Sequence, residues 1–332
     1  MSADAQIYFS WALLIIIVVM PIFIYLYYLR KPKIGYNALY ERDLPTDDPP
    51  AIVNAVCAGD PEVMGVPDLD GFRATILDLI DRNYLFLKNE CVGEISHPKC
   101  LQLEINQDKN LSILWKFELQ VLEFLKKYEY NGIISMDIIS ESMNHMNNGE
   151  CSQCTYEEWR DKFESNIYAY IDWKNEVKRT LREGDNFKDA FYDKNDKYLK
   201  IFGVLGTIIA LGLIFYSLPF KLSSATSIFL PLILLLESIM VFFIPERFTV
   251  QCTPYGLEYY EKWMNFKKYI EDYSLMEEYP PESVKIWDKY IVYATALGAA
   301  KGAKKGMELL LPENKLWESD MYMYHYHGNQ RP

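Results

Sequence analysis

Three long apolar stretches separate the polar parts of this chain. They cover Ile7–Leu29, Ile201–Leu218 and Ile228–Ile244. A bilayer core about 30 Å thick is crossed by roughly 20 apolar helical residues. A helix also satisfies its own backbone hydrogen bonds inside lipid. The pattern therefore predicts three transmembrane helices, and it makes membrane lipids the first expected partner.

Shorter helices are predicted directly after the first apolar stretch. Tyr36–Pro50 is rich in proline and predicts an extended linker. Ala51–Ala58 has a short apolar helical pattern, and a second helix follows it with a cap at Asp68 or Asp70, because an Asp side chain accepts hydrogen bonds from first-turn amides. Asn83 suits the left-handed position after that helix.

Two strands and a series of amphipathic helices follow in the pattern. Alternation over Tyr84–Lys88 and Leu101–Ile105 predicts a β-hairpin. Helix, helix and hairpin in this order are typical of a winged-helix domain. Helical spacing then recurs over Leu111–Tyr128, Ile133–Met146, Tyr156–Arg182, Tyr255–Tyr273 and Val284–Leu311.

The expected fold is a mainly α membrane protein with three transmembrane helices, a cytoplasmic α+β winged-helix-like insertion and a helical C-terminal region. The predicted domains are an N-terminal anchor (1–35), a winged-helix-like domain (36–110), a helical domain (111–199), a transmembrane hairpin (200–246), a C-terminal helical region (247–312) and a loose tail (313–332).

Basic residues near the membrane ends predict the orientation. They are Arg30, Lys31 and Lys33 after the first stretch, Lys194, Lys197 and Lys200 before the second, and Arg247 after the third. Cytoplasmic ends carry the excess of Lys and Arg. We therefore expect a multi-pass protein of the cell membrane, with its N-terminus outside and with residues 30–200 and 246–332 in the cytoplasm.

The insertion is acidic, and this changes the expected partners. Residues 30–200 carry 22 Lys and Arg against 31 Asp and Glu, a net charge of −9. Such a charge repels phosphate backbones and disfavours nucleic acid as a partner. The predicted reading helix offers only Arg73 and Arg82 to bases, diluted by Asp78 and Asp81. Protein docking is the favoured use of a winged-helix module here.

Cysteines give a weak metal signal. Cys151 and Cys154 have half of a zinc spacing, which Cys91, His97, Cys100 or His145 could complete. A second close pair is missing, so we expect reduced cysteines in the cytoplasm, without a bound metal or cofactor. Motifs of metalloproteases, α/β-hydrolases and dinucleotide-binding enzymes do not occur, which predicts a protein that is not an enzyme.

Glu237 is an ionisable residue in the middle of the third apolar stretch. Because a carboxylate is costly inside a bilayer, such residues face a partner or a wet cavity. A hydrogen bond to Thr207, Tyr216 or a backbone carbonyl would make Glu237 a packing or oligomer contact, which is the favoured interpretation. A transport role is the alternative, although the three spans contain no second ionisable residue for an ion path.

Small residues recur at close helical spacing in two predicted helices and favour close helix packing. They are Ala294, Gly298, Gly302 and Gly306 in the last helix, and Gly203 and Gly206 in the second transmembrane helix.

Three runs of sequence carry a family resemblance. They are YERDLPTDDPPAIVNAV, DLDGFRATILDLIDRNYLFL and WMNFKKYIEDYSLMEEYPPESVKIWDKYIVYATALGAA. The last run is the most specific, with Trp263, Trp287, Tyr290, Tyr293, Ala294 and Gly298 in order. Over nearly all of residues 36–310 the chain resembles the YciQ-like family of predicted membrane proteins, a domain of unknown function.

The resemblance implies a membrane topology and no known reaction, cofactor or catalytic residue. Members of the family usually place a secretion signal and a large β-rich extracytoplasmic domain before the first membrane helix. This sequence has neither at that place, so we expect a member that is shortened at its N-terminus.

The favoured function is a membrane-anchored scaffold whose cytoplasmic modules bind another protein or a second copy of the chain. The alternative is a membrane-tethered signal transducer with a winged-helix output domain that contacts DNA. An oligomeric transport component that uses Glu237 is the more distant alternative.

Overall fold

The computed structural model describes residues 3–24, 26–27, 30–61, 63–89, 101–148, 156–183, 191–193, 197–217, 226–244, 250–278, 281 and 283–328. Over these ranges the protein is mainly helical and has a small antiparallel sheet. In chain order the helices are α1 (Ala3–Ile24), α2 (Pro50–Cys57), α3 (Leu69–Asp81), α4 (Lys116–Lys126), α5 (Met136–Asn148), α6 (Tyr156–Glu183), α7 (Lys197–Ser217), α8 (Thr226–Met240), α9 (Pro254–Glu271), α10 (Tyr273–Glu278), α11 (Val284–Ala296), α12 (Ala300–Leu310), α13 (Glu313–Leu316) and α14 (Asp320–Gly328). The strands are β1 (Leu85–Asn89), β2 (Leu101–Ile105), β3 (Glu129–Tyr130), β4 (Ile133–Ser135), β5 (Phe191–Asp193) and β6 (Val250–Cys252).

The chain divides into two compact units. The apolar unit comprises residues 1–34 and 189–257, and the aromatic unit comprises residues 35–188 and 258–332. Each unit is therefore built from two separate parts of the chain. The six domain ranges expected from the sequence stay predictions.

Helices α1, α7 and α8 form the apolar unit. Helix α8 packs against both α7 and α1. Leu13 of α1, Ala210 of α7 and Leu234 of α8 are buried together at the centre of this packing. Strands β5 and β6 pair antiparallel, with Phe191 opposite Cys252.

Within the described part of the chain, one helix is long and apolar enough to cross a membrane. The stretch lies in α7 and covers Lys197–Phe215. Shorter apolar stretches cover Trp11–Ile24 in α1 and Phe229–Phe243 in α8 and the 3₁₀ turn after it. The described residues thus give one clear candidate where the sequence predicts three, and the three-helix topology stays a prediction.

Helix α3 lies at the centre of the aromatic unit. Helices α2, α4, α11 and α14 and strand β1 all contact it. Phe72 of α3 meets the ring of Trp173 edge-on, with the ring centroids 5.1 Å apart. Trp263 stacks on Tyr293 with centroids 4.9 Å apart. Buried aromatic rings therefore supply much of the apolar area that stabilises this unit.

Local predictions around α3 are confirmed. Asp68 is the N-cap of the helix, and its carboxylate accepts hydrogen bonds from the amides of Asp70 (2.9 Å) and Gly71 (3.2 Å). Asn83 has a positive φ of 61° after the helix end. The aspartate therefore satisfies amides that the first helical turn leaves free.

The predicted hairpin is confirmed and belongs to a larger sheet. Strand β1 pairs antiparallel with β2, so that Leu87 lies opposite Leu103. Strand β2 also pairs with β4, and β4 pairs with β3, which gives the order β1-β2-β4-β3. The sheet therefore joins strands from both sides of the expected boundary at residue 110. The winged-helix identity itself stays a prediction.

The linker before α2 has no regular secondary structure, as predicted, and it is fastened to helices of the aromatic unit. The Asn265 amide donates to the carbonyl oxygen of Ala38 (2.7 Å). The Tyr293 hydroxyl donates to the carbonyl oxygen of Asp48 (2.8 Å). Side chains from α9 and α11 thus satisfy backbone groups that an extended segment cannot pair by itself.

The prediction of one continuous helix over Val284–Leu311 is wrong. Helix α11 ends at Ala296, and Gly298 adopts a left-handed φ of 71°. The amide of Gly298 donates to the Thr295 carbonyl (3.1 Å), and the amide of Ala299 donates to the Ala294 carbonyl (2.7 Å). This pair of hydrogen bonds is a Schellman motif, which closes a helix and redirects the chain into α12.

Residues 313–332, expected as a loose tail, contain α13 and α14 up to residue 328. Met321 and Tyr322 are buried. Helix α14 packs against α11 and α3, and the Tyr322 hydroxyl donates to Glu308 of α12 (3.2 Å). The local pattern gave no sign of this packing because these partners lie on other elements. The structure differs from the expectation here because tertiary packing, rather than periodicity, orders the segment.

The left-handed conformation of Gly298 generates a stability prediction. In Gly298→Ala, a Cβ would meet no atom closer than 3.9 Å, so that only the backbone conformation is penalised. We expect the free energy of unfolding to fall by about 1 kcal/mol. Denaturant unfolding of the purified protein in detergent, followed by tryptophan fluorescence, measures this change. Gly35→Ala is the control, because a Cβ there has no neighbour within 4 Å; equal losses in both variants would contradict the assignment.

Candidate functional site

Glu237 lies within α8, among large apolar side chains. Its carboxylate oxygen Oε2 is buried and has no hydrogen-bond partner among the described residues. Thr207, one of its expected partners, donates instead to the carbonyl oxygen of Gly203 (2.7 Å). The side chain of Tyr216, another expected partner, lies outside the described part of the chain. The structure therefore leaves the role of Glu237 as a prediction.

Two glycines allow α7 and α8 to approach closely. A Cβ on Gly206 would lie 2.2 Å from Oγ of Ser238, and a Cβ on Gly203 would lie 2.9 Å from the Phe242 ring. Ser238 is fully buried, and its hydroxyl donates to the carbonyl oxygen of Leu234 (2.7 Å). A larger side chain on this face of α7 would force the helices apart. Small residues commonly allow helices to approach this closely in membrane helix pairs.

Large apolar side chains cover the outward faces of these helices. Examples on the three helices are Trp11 (61 %), Ile208 (62 %), Phe215 (78 %), Phe229 (63 %) and Leu236 (61 %). Monomeric soluble proteins rarely expose continuous apolar patches of more than a few hundred Å². This surface favours a lipid environment.

Asn54 ties three helices of the aromatic unit together. Its amide donates to Oδ1 of Asp68 and to the carbonyl oxygen of Ala296, both at 2.8 Å. The side-chain oxygen Oδ1 of Asn54 accepts a hydrogen bond from the backbone amide of Asp68 (2.9 Å). Asn54 lies on α2, Asp68 caps α3, and Ala296 ends α11. Because the side chain is fully buried, these bonds fix the relative positions of the three helices.

Sequence reasoning missed Asn54. The available signal was a single amide within the apolar run AIVNAV. A buried polar side chain in such a run needs hydrogen-bond partners, and its partners here come from distant segments. Gly71 is part of the same arrangement, because a Cβ there would lie 2.5 Å from Oδ1 of Asn54.

Arg82, whose side chain is 35 % exposed, forms a partly buried ion-pair network. It contacts Asp78 (2.7 Å) and also Glu118, which is 1 % exposed. Glu118 accepts in addition from the amide of Trp115 (2.8 Å). Burial raises the pKa of Asp78 to about 6, although the charge of Arg82 opposes the shift. Removing Arg82 would therefore leave buried carboxylates without a counter-ion.

The predicted reading helix, α3, lies mostly inside the fold. A recognition helix places an exposed face against base edges. Nine of the thirteen residues of α3 are buried. Arg73, one of its two basic candidates, pairs with Asp70 (2.8 Å), and Arg82 is held by Glu118. The geometry around α3 therefore fits a central structural helix.

The four small residues of the last predicted helix do not form one stripe, because the chain turns at Gly298. Ala294 is fully buried on α11. On α12, a Cβ on Gly302 would lie 3.2 Å from the Ile270 carbonyl oxygen, and a Cβ on Gly306 would lie 2.7 Å from Sδ of Met276. These two glycines thus bring α12 close to α9 and α10.

The weak metal candidates cannot be placed. Cys91, Cys100, Cys151 and Cys154 lie outside the described residues. Within the described ranges, no group of three His, Cys, Asp or Glu side chains is arranged to hold a metal ion.

A short apolar segment, Leu111–Trp115, is exposed on the aromatic unit. Leu111, Ile113 and Trp115 are 42 %, 72 % and 52 % exposed, whereas Leu114 between them is buried. The backbone is held in place, because Asn110 accepts from the amide of Ser112 (3.0 Å) and Glu118 accepts from that of Trp115. The segment therefore presents large apolar side chains on an ordered backbone, which is typical of a protein-docking surface.

Asp288 fastens the C-terminal helices to α11. The Ser319 hydroxyl donates to Oδ1 of Asp288, and Ser319 accepts from the amide of Tyr322 (2.9 Å). Burial raises the pKa of Asp288 to about 6, and the neighbouring charges of Asp81 and Asp320 add to the shift. The folded protein therefore binds a proton at Asp288 more tightly than the unfolded chain does.

This pKa predicts a pH-dependent difference between wild type and Asp288→Asn. A raised carboxyl pKa lowers stability as the pH rises from about 4 to about 6, because ionisation is penalised in the folded state. Asparagine does not ionise, so the unfolding free energy of the variant relative to wild type should rise by roughly 1–3 kcal/mol between pH 4 and pH 7. Denaturant unfolding at a series of pH values measures this difference. A difference that stays constant across the range would contradict the assignment.

Comparison with known proteins adds a family to this geometry. A family model described as "Predicted membrane protein (DUF2207) C-terminal domain" matches residues 37–307. No curated protein matches the chain. No solved structure matches it either. The match confirms the resemblance expected from the sequence, and the chain belongs to this family of predicted membrane proteins of unknown function.

Proposed function

We propose that this protein is a multi-pass membrane protein whose aromatic unit docks another protein in the cytoplasm. The observation that carries the docking role is the exposed Leu111–Trp115 segment, whose backbone is held by side-chain hydrogen bonds. The membrane role is supported by the family and by the apolar outer faces of α1, α7 and α8. The proposal includes all three helices as membrane spans.

The proposed orientation rests on basic residues at the helix ends. Lys197 and Lys200 lie in the first turn of α7, and Arg30, Lys31 and Lys33 follow α1. Lys and Arg accumulate at cytoplasmic membrane ends. The proposal therefore places the N-terminus outside and the aromatic unit in the cytoplasm.

Docking of a protein fits the aromatic unit better than two other functions do. DNA binding requires an accessible basic helix, whereas α3 is mostly buried and its arginines are paired with carboxylates. Catalysis requires a set of convergent reactive groups, and the buried networks of Asn54 and Arg82 have neighbours that a structural role fully explains. We therefore propose a scaffold in preference to a transducer that reads DNA or an enzyme.

Ile113 and Trp115 are proposed as the anchors of the docking surface. Tryptophan is enriched among residues that dominate binding energy, and its large ring excludes water when a partner covers it. The Trp115 ring stacks on that of Phe117, with centroids 6.2 Å apart, which limits the side-chain freedom that binding would have to remove.

Site-specific photocrosslinking tests the docking surface. A photoreactive amino acid at Ile113, in the full-length protein in living cells, should give one discrete protein adduct. The same amino acid at Glu123, which is also exposed on the aromatic unit, is the matched control and should not give that adduct. Trp115→Ala should weaken partner binding by about 2 kcal/mol and reduce the adduct accordingly. Identical adducts at both positions, or an adduct unaffected by Trp115→Ala, would contradict the proposal.

A further inference from the structure

The hydrogen bond between His325 of α14 and Thr295 of α11 defines the protonation state of the imidazole ring. Nε2 of His325 lies 3.0 Å from Oγ1 of Thr295. The Thr295 hydroxyl has one hydrogen, and it donates that hydrogen to the carbonyl oxygen of Ile291 (2.8 Å). Thr295 therefore only accepts from the ring, so that Nε2 of His325 carries the proton and Nδ1 of the neutral ring does not.

A second proton would turn the ring into a cation beside other cations. Lys304 of α12 and Arg73 of α3 are the charged groups that act on His325. Burial, together with these two charges, lowers the pKa of His325 from its ordinary value of 6.5 to about 4. Desolvation and repulsion thus both disfavour the protonated ring in this position.

The carboxylates nearest to these cations are already paired. Asp70 lies 2.8 Å from Arg73, and Glu308 lies 3.7 Å from Lys304. Charged and titratable side chains around α14 include Asp70, Arg73 and Asp81 on α3, Asp288 on α11, Lys304 and Glu308 on α12, and Asp320, Tyr322 and Tyr324 on α14 itself.

Helix α14 is attached to α11 and α3 from outside their central packing with α2. If α14 moves away, a protonated His325 gains water and leaves both cations, while the Asn54 bonds that join α2, α3 and α11 stay in place. We propose that α14 is a pH-sensitive switch. It covers parts of α11 and α3 while His325 is neutral, and it detaches from them when the ring is protonated. This inference concerns a different surface from the docking segment.

Asp288 responds to acid in the opposite direction but changes less when α14 detaches. Its pKa is raised by burial, and Asp81, which adds to the shift, stays beside it on α3. Loss of the hydrogen bond from Ser319, which favours the ionised carboxylate, offsets part of the gain in hydration. His325 moves into water with α14 and loses its whole pKa shift, so release in acid is the expected net effect.

The sign and size of the effect follow from the two pKa values of His325. The released ring binds its proton with the ordinary pKa of 6.5, and the attached ring binds it with a pKa of about 4. Attachment of α14 is therefore complete at neutral pH and weakens by up to about tenfold for each pH unit between these values.

Hydrogen exchange of the full-length protein in detergent, followed by mass spectrometry, tests the switch. The protection of α14 is expressed relative to an unstructured peptide of the same sequence at the same pH. It should fall by up to about a hundredfold between pH 6.5 and pH 4.5, while the protection of α9 stays unchanged. A constant protection of α14 would overturn the proposal. An equal loss in α9 would do so too, because acid would then unfold the whole unit.

Two histidine variants identify the group that titrates. In His325→Gln the side-chain amide still donates to Thr295 but takes up no proton, so the protection of α14 should no longer depend on pH. His327→Gln, on the same helix, is the matched control and should keep the wild-type dependence. The reverse outcome in either variant would contradict the assignment.

Lys304→Gln keeps the proposal testable if His325→Gln loosens α14 at every pH. Removing one of the two cations should move the release of α14 to lower pH, because the protonated ring is then repelled less. A purely structural role of Lys304 would lower the protection equally at all pH values, and that result would count against the switch.

Discussion

The helices of the apolar unit cannot bury all of their own apolar surface, so the unit depends on an apolar covering. Each helix hides one stripe against a neighbour and leaves the rest of its apolar surface outward. On α7, Ala210 is fully buried, while Ile208 beside it is 62 % exposed. Burial of apolar area stabilises a fold by roughly 25 cal/mol per Å², and this surface receives that stabilisation only if something apolar covers it. Lipid is the covering that the family and the residue pattern both favour.

The aromatic unit buries much of its apolar surface within its own core. Its buried rings, such as those of Phe72, Trp173, Trp263 and Phe266, pack against each other, and polar side chains fix the relative positions of the helices. Asn54 joins three helices, Arg82 joins α3 to α4 through Glu118, and Asp288 holds the C-terminal helices through Ser319. Apolar area supplies the stabilisation here, and the buried polar groups select one arrangement, since each would be costly without its partner. In the Leu111–Trp115 segment, three large apolar side chains are exposed close together on a backbone that side-chain hydrogen bonds hold in place.

Sequence reasoning succeeded where the cause of a structure is local. Asp68 caps α3, Asn83 takes the left-handed position, and the two strands of the hairpin, β1 and β2, pair as expected. Each of these outcomes depends on a side chain and the few backbone groups beside it. The family resemblance was likewise readable, because it rests on the order of aromatic and small residues in the printed sequence.

Sequence reasoning failed where contacts between distant segments determine the structure. The helical period continues through Gly298 without a break, because Ala294, Gly298, Gly302 and Gly306 keep a four-residue spacing across the turn. Periodicity alone therefore predicts a single helix where the structure has α11 and α12. The order of residues 313–328 comes from Ser319, Tyr322 and their contacts with other helices. Asn54 has the same explanation, since its partners lie up to 242 residues away in the chain. Among the described residues, Glu237 remains the expected site residue that geometry does not yet connect to a partner.

The contact between the outer face of α7 and lipid chains can be measured directly by spin-label collision rates. A nitroxide on Ile208→Cys, with the protein in a lipid bilayer, should collide often with oxygen, which concentrates in lipid, and rarely with a water-soluble nickel complex. A nitroxide on Ala210→Cys, at the buried interface, should collide rarely with both. Frequent collision of the nickel complex at Ile208 would mean that water covers this face, and it would contradict the account.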